Sequence, residues 1–326
     1  MFENVNAARD VLYSLARHCQ IGHAQLKKLF EQEGVYTSRQ HWFLFLEWFL
    51  LALGAVLTAA GVIYFFAYNW AEMHKFVKLG LLQSVVLLLV GLVLWGRFDA
   101  KISKVLLTLA AVMVGVLFAV FGQIYQTGAN AYDFFQGWAL AIFLWALAGR
   151  SGYLWLLFLV LVNLTLHFYA AQVAHHTWPS YLLPVLLFLI NSAAVALWEL
   201  LWTKGKISTA LRWFPALVAL AAITINTMGQ CSAIFRGLEE DKGLSLFITA
   251  CVYALGFWYG LRQQRMFYPA ALGFSLIIIG TCSLVKLLEH ADDEGILLLS
   301  SMFVIGTTSA LAFYLKHLNG LWYERK

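Results

Sequence analysis

The chain predicts an all-α fold: a polytopic transmembrane helical bundle of about ten spans, N-in and C-in, behind a small cytoplasmic helical N-terminal segment. Three observations predict it. The 326 residues are 62% hydrophobic and only 12% charged, against roughly 45–50% and about 25% in soluble domains. The apolar residues fall in runs of about 20, the length that crosses a bilayer core of roughly 30 Å. Those runs are continuous rather than alternating, which favours helices over barrel strands.

Residues 1–41 are polar and charged, and the first apolar run begins near Trp42, so no cleavable signal peptide is expected. Val5, Ala8, Val11, Leu12, Leu15 and Ala16 recur at helical spacing. A second short helix is expected over 22–33, with Leu26, Leu29 and Phe30 on one face and Gly34 as its stop. About forty residues bury little core alone. The segment is expected to dock on the membrane domain (residues 42–326), lie on the inner leaflet, or meet a partner.

Hydropathy then gives spans at 43–68, 76–96, 104–125, 134–149, 152–172, 180–202, 210–235, 244–261, 266–288 and 295–315. With the N-terminus inside, 17 of the 22 Lys and Arg residues fall on the cytoplasmic side; Lys75, Lys78, Arg236, Lys242 and Lys286 remain outside. This asymmetry predicts N-in, C-in and an even number of spans. The net charge of +5 therefore reads as topology and contact with lipid headgroups, with no nucleic-acid surface. Acids lean outward: Glu72, Asp133, the run Glu239-Glu240-Asp241, Glu289 and Asp292-Asp293-Glu294. Tyr64, Tyr68, Trp70, Tyr125, Tyr132, Trp198, Trp202, Trp258 and Tyr259 lie near predicted boundaries, where amphipathic rings anchor helices. Cys19, Cys231, Cys251 and Cys282 lack metal-ligand spacing, and no disulfide framework is expected.

Polar groups inside the apolar runs are few. Glu47 lies about one turn into the first span, and Glu199 about one turn from the inner end of the sixth. Each either reaches the headgroups or pairs with a base such as Arg39 or Lys204, or else forms a proton or cation site at an inner gate. Asn163 and Asn191 fall near the centres of the fifth and sixth spans. Asn226 and Gln230 stand four apart on one face of the seventh, near Thr224 and Thr227, and Thr307, Thr308 and Ser309 lie deep in the tenth. Such groups either bond across helices or line an outward-opening polar cavity.

The densest neutral cluster is VFGQIYQTGANAYDFFQGWAL, from Val120 to Leu140. If the third helix continues past Gly122, then Gln123, Gln126 and Asn130 share a face. Alternatively Thr127-Gly128-Ala129-Asn130 stops the helix, with Gly128 or Asn130 left-handed. Either arrangement puts amides, the phenols of Tyr125 and Tyr132 and the Asp133 carboxylate at the outer mouth. Amides both donate and accept, which suits hydroxyl-rich or headgroup-like ligands.

Ala67-Tyr68-Asn69-Trp70 with Lys75 and Lys78, followed by Gly122-Gln123-x-Tyr125-Gln126 and Trp138, resembles the bacterial membrane-protein family catalogued as domain of unknown function 2157. The clear likeness covers about residues 10–140. It implies the same overall plan, a short helical N-terminal region and a string of hydrophobic helices, in a bacterial inner (cytoplasmic) membrane. It implies no activity. Genes of that family often stand beside those of other membrane proteins, which implies a membrane partner.

No Walker A, GxGxxG, HExxH or GxSxG pattern occurs. His167, His175 and His176 near one loop, and His74 beside Glu72, lack firm ligand spacing, so no metal or cofactor is expected. The leading expectation is a transporter-like, non-enzymatic protein with an outward-facing pocket lined by Asn69, Gln123, Tyr125, Gln126, Asn130, Asp133, Asn226 and Gln230, and an inner gate at Glu47 and Glu199. The alternative is a structural or assembly subunit of a membrane complex. A third reading is a membrane enzyme acting on lipid-linked substrates through Asp133 or the histidines. The expected partners are membrane lipids and other membrane proteins encoded nearby.

Overall fold

A computed structural model describes Gln25 and residues 39–69, 72–126, 128–204, 213–236, 242–289 and 292–324. The expected N-terminal helices, Cys19 and the acidic run 239–241 lie outside the described residues. Among those described there is no strand. Ten helices among the described residues are long and apolar enough to cross a membrane. They are α1 (Arg39–Asn69), α2 (Lys75–Trp95), α3 (Ala100–Tyr125), α4 (Ala131–Gly149), α5 (Gly152–Gln172), α6 (Leu182–Thr203), α7 (Trp213–Phe235), α8 (Lys242–Arg262), α9 (Phe267–Leu287) and α10 (Asp293–Glu324).

Each expected span thus has its helix. The largest boundary difference is α10, which runs to Glu324 rather than residue 315. Lys316, His317, Asn319 and Glu324 lower the hydropathy of that end without stopping the helix, because none carries the large helical penalty of Pro, and the helix also runs through Gly320. At the other expected loop, Lys75 and Lys78 lie inside the first turn of α2, and Lys78 is buried there.

The chain divides into two compact units, residues 1–116 and 117–326, with the boundary inside α3. In the first unit, the Lys101 ammonium lies 4.9 Å from the Trp48 ring centre, a cation–π contact between α3 and α1. The most apolar stretch of α1 buries none of its residues. Leu82 and Leu89 of α2 and Ala110, Ala111 and Met113 of α3 are the buried hydrophobic side chains among the described residues of that unit.

In the second unit, α4 pairs with α5, α6 with α7, and α7 and α8 with α9. The buried face of α7 has a regular cause. Phe214, Pro215, Val218, Ala219, Ala222, Ile223, Asn226, Thr227 and Gln230 recur four apart along one stripe. The stripe is apolar as far as Ile223 and polar beyond it. Small residues then let α8 approach α9: a Cβ on Gly256 would lie 2.8 Å from Leu272 Cδ1, and one on Gly260 would lie 2.7 Å from Pro269 Cδ. Leu272 joins Phe188, Ala222, Ile223 and Tyr253 in one buried apolar layer.

Candidate functional site

The stretch that dominates the sequence forms a helix end, a turn and a helix start. α3 stops at Tyr125; Gln126 (φ 44°) and Gly128 (φ 62°) both take left-handed backbone, while Asn130 (φ −67°) is extended and caps α4. The continuous helix that would align Gln123, Gln126 and Asn130 is therefore absent. Of the two residues expected to turn left-handed, Gly128 does so and Asn130 does not; Gln126 joins Gly128 instead. The Asp133 carboxylate accepts the Asn130 backbone N–H at 3.1 Å, the arm of a capping box that reaches back from the third helical position. Gln172 at the end of α5 accepts the Tyr132 N–H at 3.4 Å, and the Tyr132 ring meets Tyr169 edge to face. Gln123, Tyr125, Gln126 and Asn130 are exposed, and the Tyr125 ring lies against Phe121 at 4.6 Å. Asn69 closes α1, and its side chain lies outside the described atoms.

Asn226 and Gln230 are placed differently, deep between α7, α8 and α9. Gln230 Nε2 donates to Ser245 Oγ at 2.7 Å and to Thr249 Oγ1 at 2.9 Å. Thr249 Oγ1 donates to Asn226 Oδ1 at 3.0 Å, and Asn226 Nδ2 donates to the Tyr253 hydroxyl at 3.1 Å. Tyr253 and Ser275 Oγ lie 2.7 Å apart, Ser275 Oγ and Thr227 Oγ1 2.6 Å, and Thr227 donates to the Ile223 carbonyl at 2.7 Å. The proton directions follow. Thr227 spends its proton on Ile223, so Ser275 donates to Thr227; the only Ser275 proton is then committed, so Tyr253 donates to Ser275. All seven side chains are buried. The sequence marked Asn226 and Gln230 but missed their partners. The available signal was Ser245, Thr249 and Tyr253, four apart on α8.

A second polar cluster joins α6, α8 and α9 at the ends predicted to face the cytoplasm. The Glu199 carboxylate on α6 accepts from the hydroxyls of Tyr259 on α8 and Tyr268 on α9, each at 2.7 Å, and forms an ion pair with Arg265. Its side chain is only 4% exposed, that of Arg265 22%. The partner is thus Arg265 rather than Arg39 or Lys204. A Schellman motif at the end of α8 aims it: Arg265 N bonds Gly260 O at 2.9 Å, Gln264 N bonds Leu261 O at 3.3 Å, and Gln264 takes φ 53°. The guanidinium also lies 4.5 Å from the Trp202 ring centre. Glu47, by contrast, is exposed on α1.

The two clusters share one face of α9, where Tyr268, Leu272 and Ser275 follow at i, i+4 and i+7. The Leu272 layer separates them. At about 1.5 Å of rise per residue, the apolar gap from Tyr268 to Ser275 spans about 10 Å.

Asn163 and Asn191 pair reciprocally across α5 and α6, at 3.2 and 2.6 Å, and each also donates to its own i−4 carbonyl at 2.7 Å. Thr307 bonds back to the Phe303 carbonyl, while Thr224, Thr308 and Ser309 are exposed. His167, His175 and His176 are exposed, and no group of three or more His, Cys, Asp or Glu among the described residues could hold a metal ion. Cys231, Cys251 and Cys282 are free thiols.

No curated protein and no solved structure matches the chain. The resemblance read from the Tyr68-Asn69-Trp70 and Gly122-Gln123 motifs does have a counterpart: residues 15–155 match the model of the family described as predicted membrane protein (DUF2157).

Proposed function

We propose that this integral membrane protein is a carrier of a small polar solute, seated in the bacterial inner membrane with both termini cytoplasmic. The observation that carries the reading is the Glu199 carboxylate, buried at the end of a membrane-spanning helix and held by Arg265, Tyr259 and Tyr268. Interhelical adhesion needs only neutral groups; a charge inside a span is costly and usually marks an ion or substrate path. Glu199 and Arg265 form the inner gate in this reading. Asn226 and Gln230 are the polar groups a solute meets beyond the Leu272 layer. The seam is closed in this state, because every group in it is bonded to a neighbour.

The test is flux. Protein reconstituted into liposomes is challenged with gradients of protons, sodium and small neutral solutes, beside Glu199→Gln. Gradient-driven movement that Glu199→Gln alters supports the carrier. Movement absent from both proteins sinks it.

A second reading, an assembly subunit, rests on a separate observation: the most apolar stretches of α1 and of α10 bury none of their residues. Those faces would meet lipid or a second membrane protein. Native-membrane purification that brings down a stoichiometric partner, with no flux, favours this reading.

A further inference from the structure

We infer that the buried network between α7, α8 and α9 is a binding site for a small monovalent cation, sodium in the first instance. Five neutral oxygens from three helices follow one another along it: Thr249 Oγ1, Asn226 Oδ1, Tyr253 Oη, Ser275 Oγ and Thr227 Oγ1. The proton directions derived above give each hydroxyl one bond donated and one accepted, and give Asn226 Oδ1 one accepted. Each of the five oxygens therefore keeps one uncommitted lone pair. A set of neutral hydroxyl and amide oxygens, buried within a bundle, is the donor chemistry that replaces the hydration shell of an alkali ion. Bonded neighbours in the network lie 2.6–3.1 Å apart, so a small ion spreads them least. No carboxylate belongs to the network, and Glu199 is engaged by Arg265 at the opposite end. A divalent ion would lack the charge compensation that its usual sites supply. The apolar layer of Phe188, Ala222, Ile223 and Leu272 closes the site on the side facing Glu199.

This deepens the carrier reading by naming its coupling ion, but the test reads binding and needs no flux. Full-length protein in detergent is unfolded thermally in NaCl, KCl, LiCl and choline chloride at equal ionic strength. Sodium is expected to raise the wild-type Tm above choline by about 2–4 °C at saturation. Ser275→Ala and Thr227→Val are expected to lose that shift. Asn226→Asp, which adds charge at the site, should lower the half-effective sodium concentration about tenfold; it also serves if the other variants fail to fold. Equal wild-type Tm values in all four salts overturn the inference. So does a sodium shift that survives in both Ser275→Ala and Thr227→Val, or one that Asn226→Asp leaves at its wild-type sodium concentration. Sodium binding without any solute flux would leave the site standing and remove the carrier.

Discussion

Glu199 and Tyr268 stand 69 positions apart in the chain and meet through a 2.7 Å hydrogen bond at the shared end of α6 and α9. With Arg265 and Tyr259, this contact fastens three helices at one carboxylate. Glu199→Ala would strand a guanidinium and two phenols. A loss of about 2–4 kcal/mol is expected, toward the low side of values for broken buried pairs because Arg265 is partly exposed. Removing Arg265 as well should cost less than the sum of the two single changes. Thermal or denaturant unfolding of the four proteins measures the coupling.

Gln264 occupies a left-handed position that glycine fills in most Schellman motifs. Gln264→Gly should be neutral or stabilise by up to about 1 kcal/mol, since it relieves a positive φ. Gln264→Val should destabilise, because a β-branched residue tolerates that region poorly. If both variants unfold together with the wild type, the turn does not hold Arg265 in place.

Gly260 and Gly54 make opposite predictions. A Cβ at Gly260 would crowd the Pro269 ring and Tyr268 Cβ, whereas one at Gly54 meets nothing within 4 Å. Gly260→Ala is expected to cost about 1–3 kcal/mol as α8 and α9 are pushed apart, and to loosen Tyr268 from Glu199. Gly54→Ala should leave Tm unchanged or raise it slightly. Comparing the two melting curves checks both.

At the start of α4, Asp133→Ala removes the acceptor for the Asn130 N–H and a negative charge in the first turn. The expected cost is about 1 kcal/mol. The same change tests a catalytic part for Asp133: an effect on any activity beyond this loss of stability would favour the enzyme reading.

The helices were legible because span length and apolar runs are local properties, and every helix except α10 lies within a few residues of its expected limits. The intervals that matter for a site were not. Asn226 and Gln230 stood out as amides in an apolar run, but a hydroxyl on a helix ordinarily bonds to its own backbone, as Thr58 does with Gly54. Ser245, Thr249 and Tyr253 were therefore unremarkable in sequence. Arg265 was legible only as one of many basic loop residues marking topology. Its role depends on a turn that swings it toward a carboxylate 66 positions earlier. At residues 120–140 the difficulty ran the other way: local polarity was conspicuous, yet much of it ends one helix and starts the next.

The Asn163–Asn191 pair bears on how the chain is made. Two amides that answer each other across α5 and α6, each also tied to its own helix, tolerate neither a one-residue rotation nor a one-turn slip. Both partners lie within a single hairpin, 28 positions apart. A newly inserted pair of helices can therefore find its alignment in lipid before α7 to α10 have left the ribosome. The later helices would then assemble against an edge whose vertical setting is already decided.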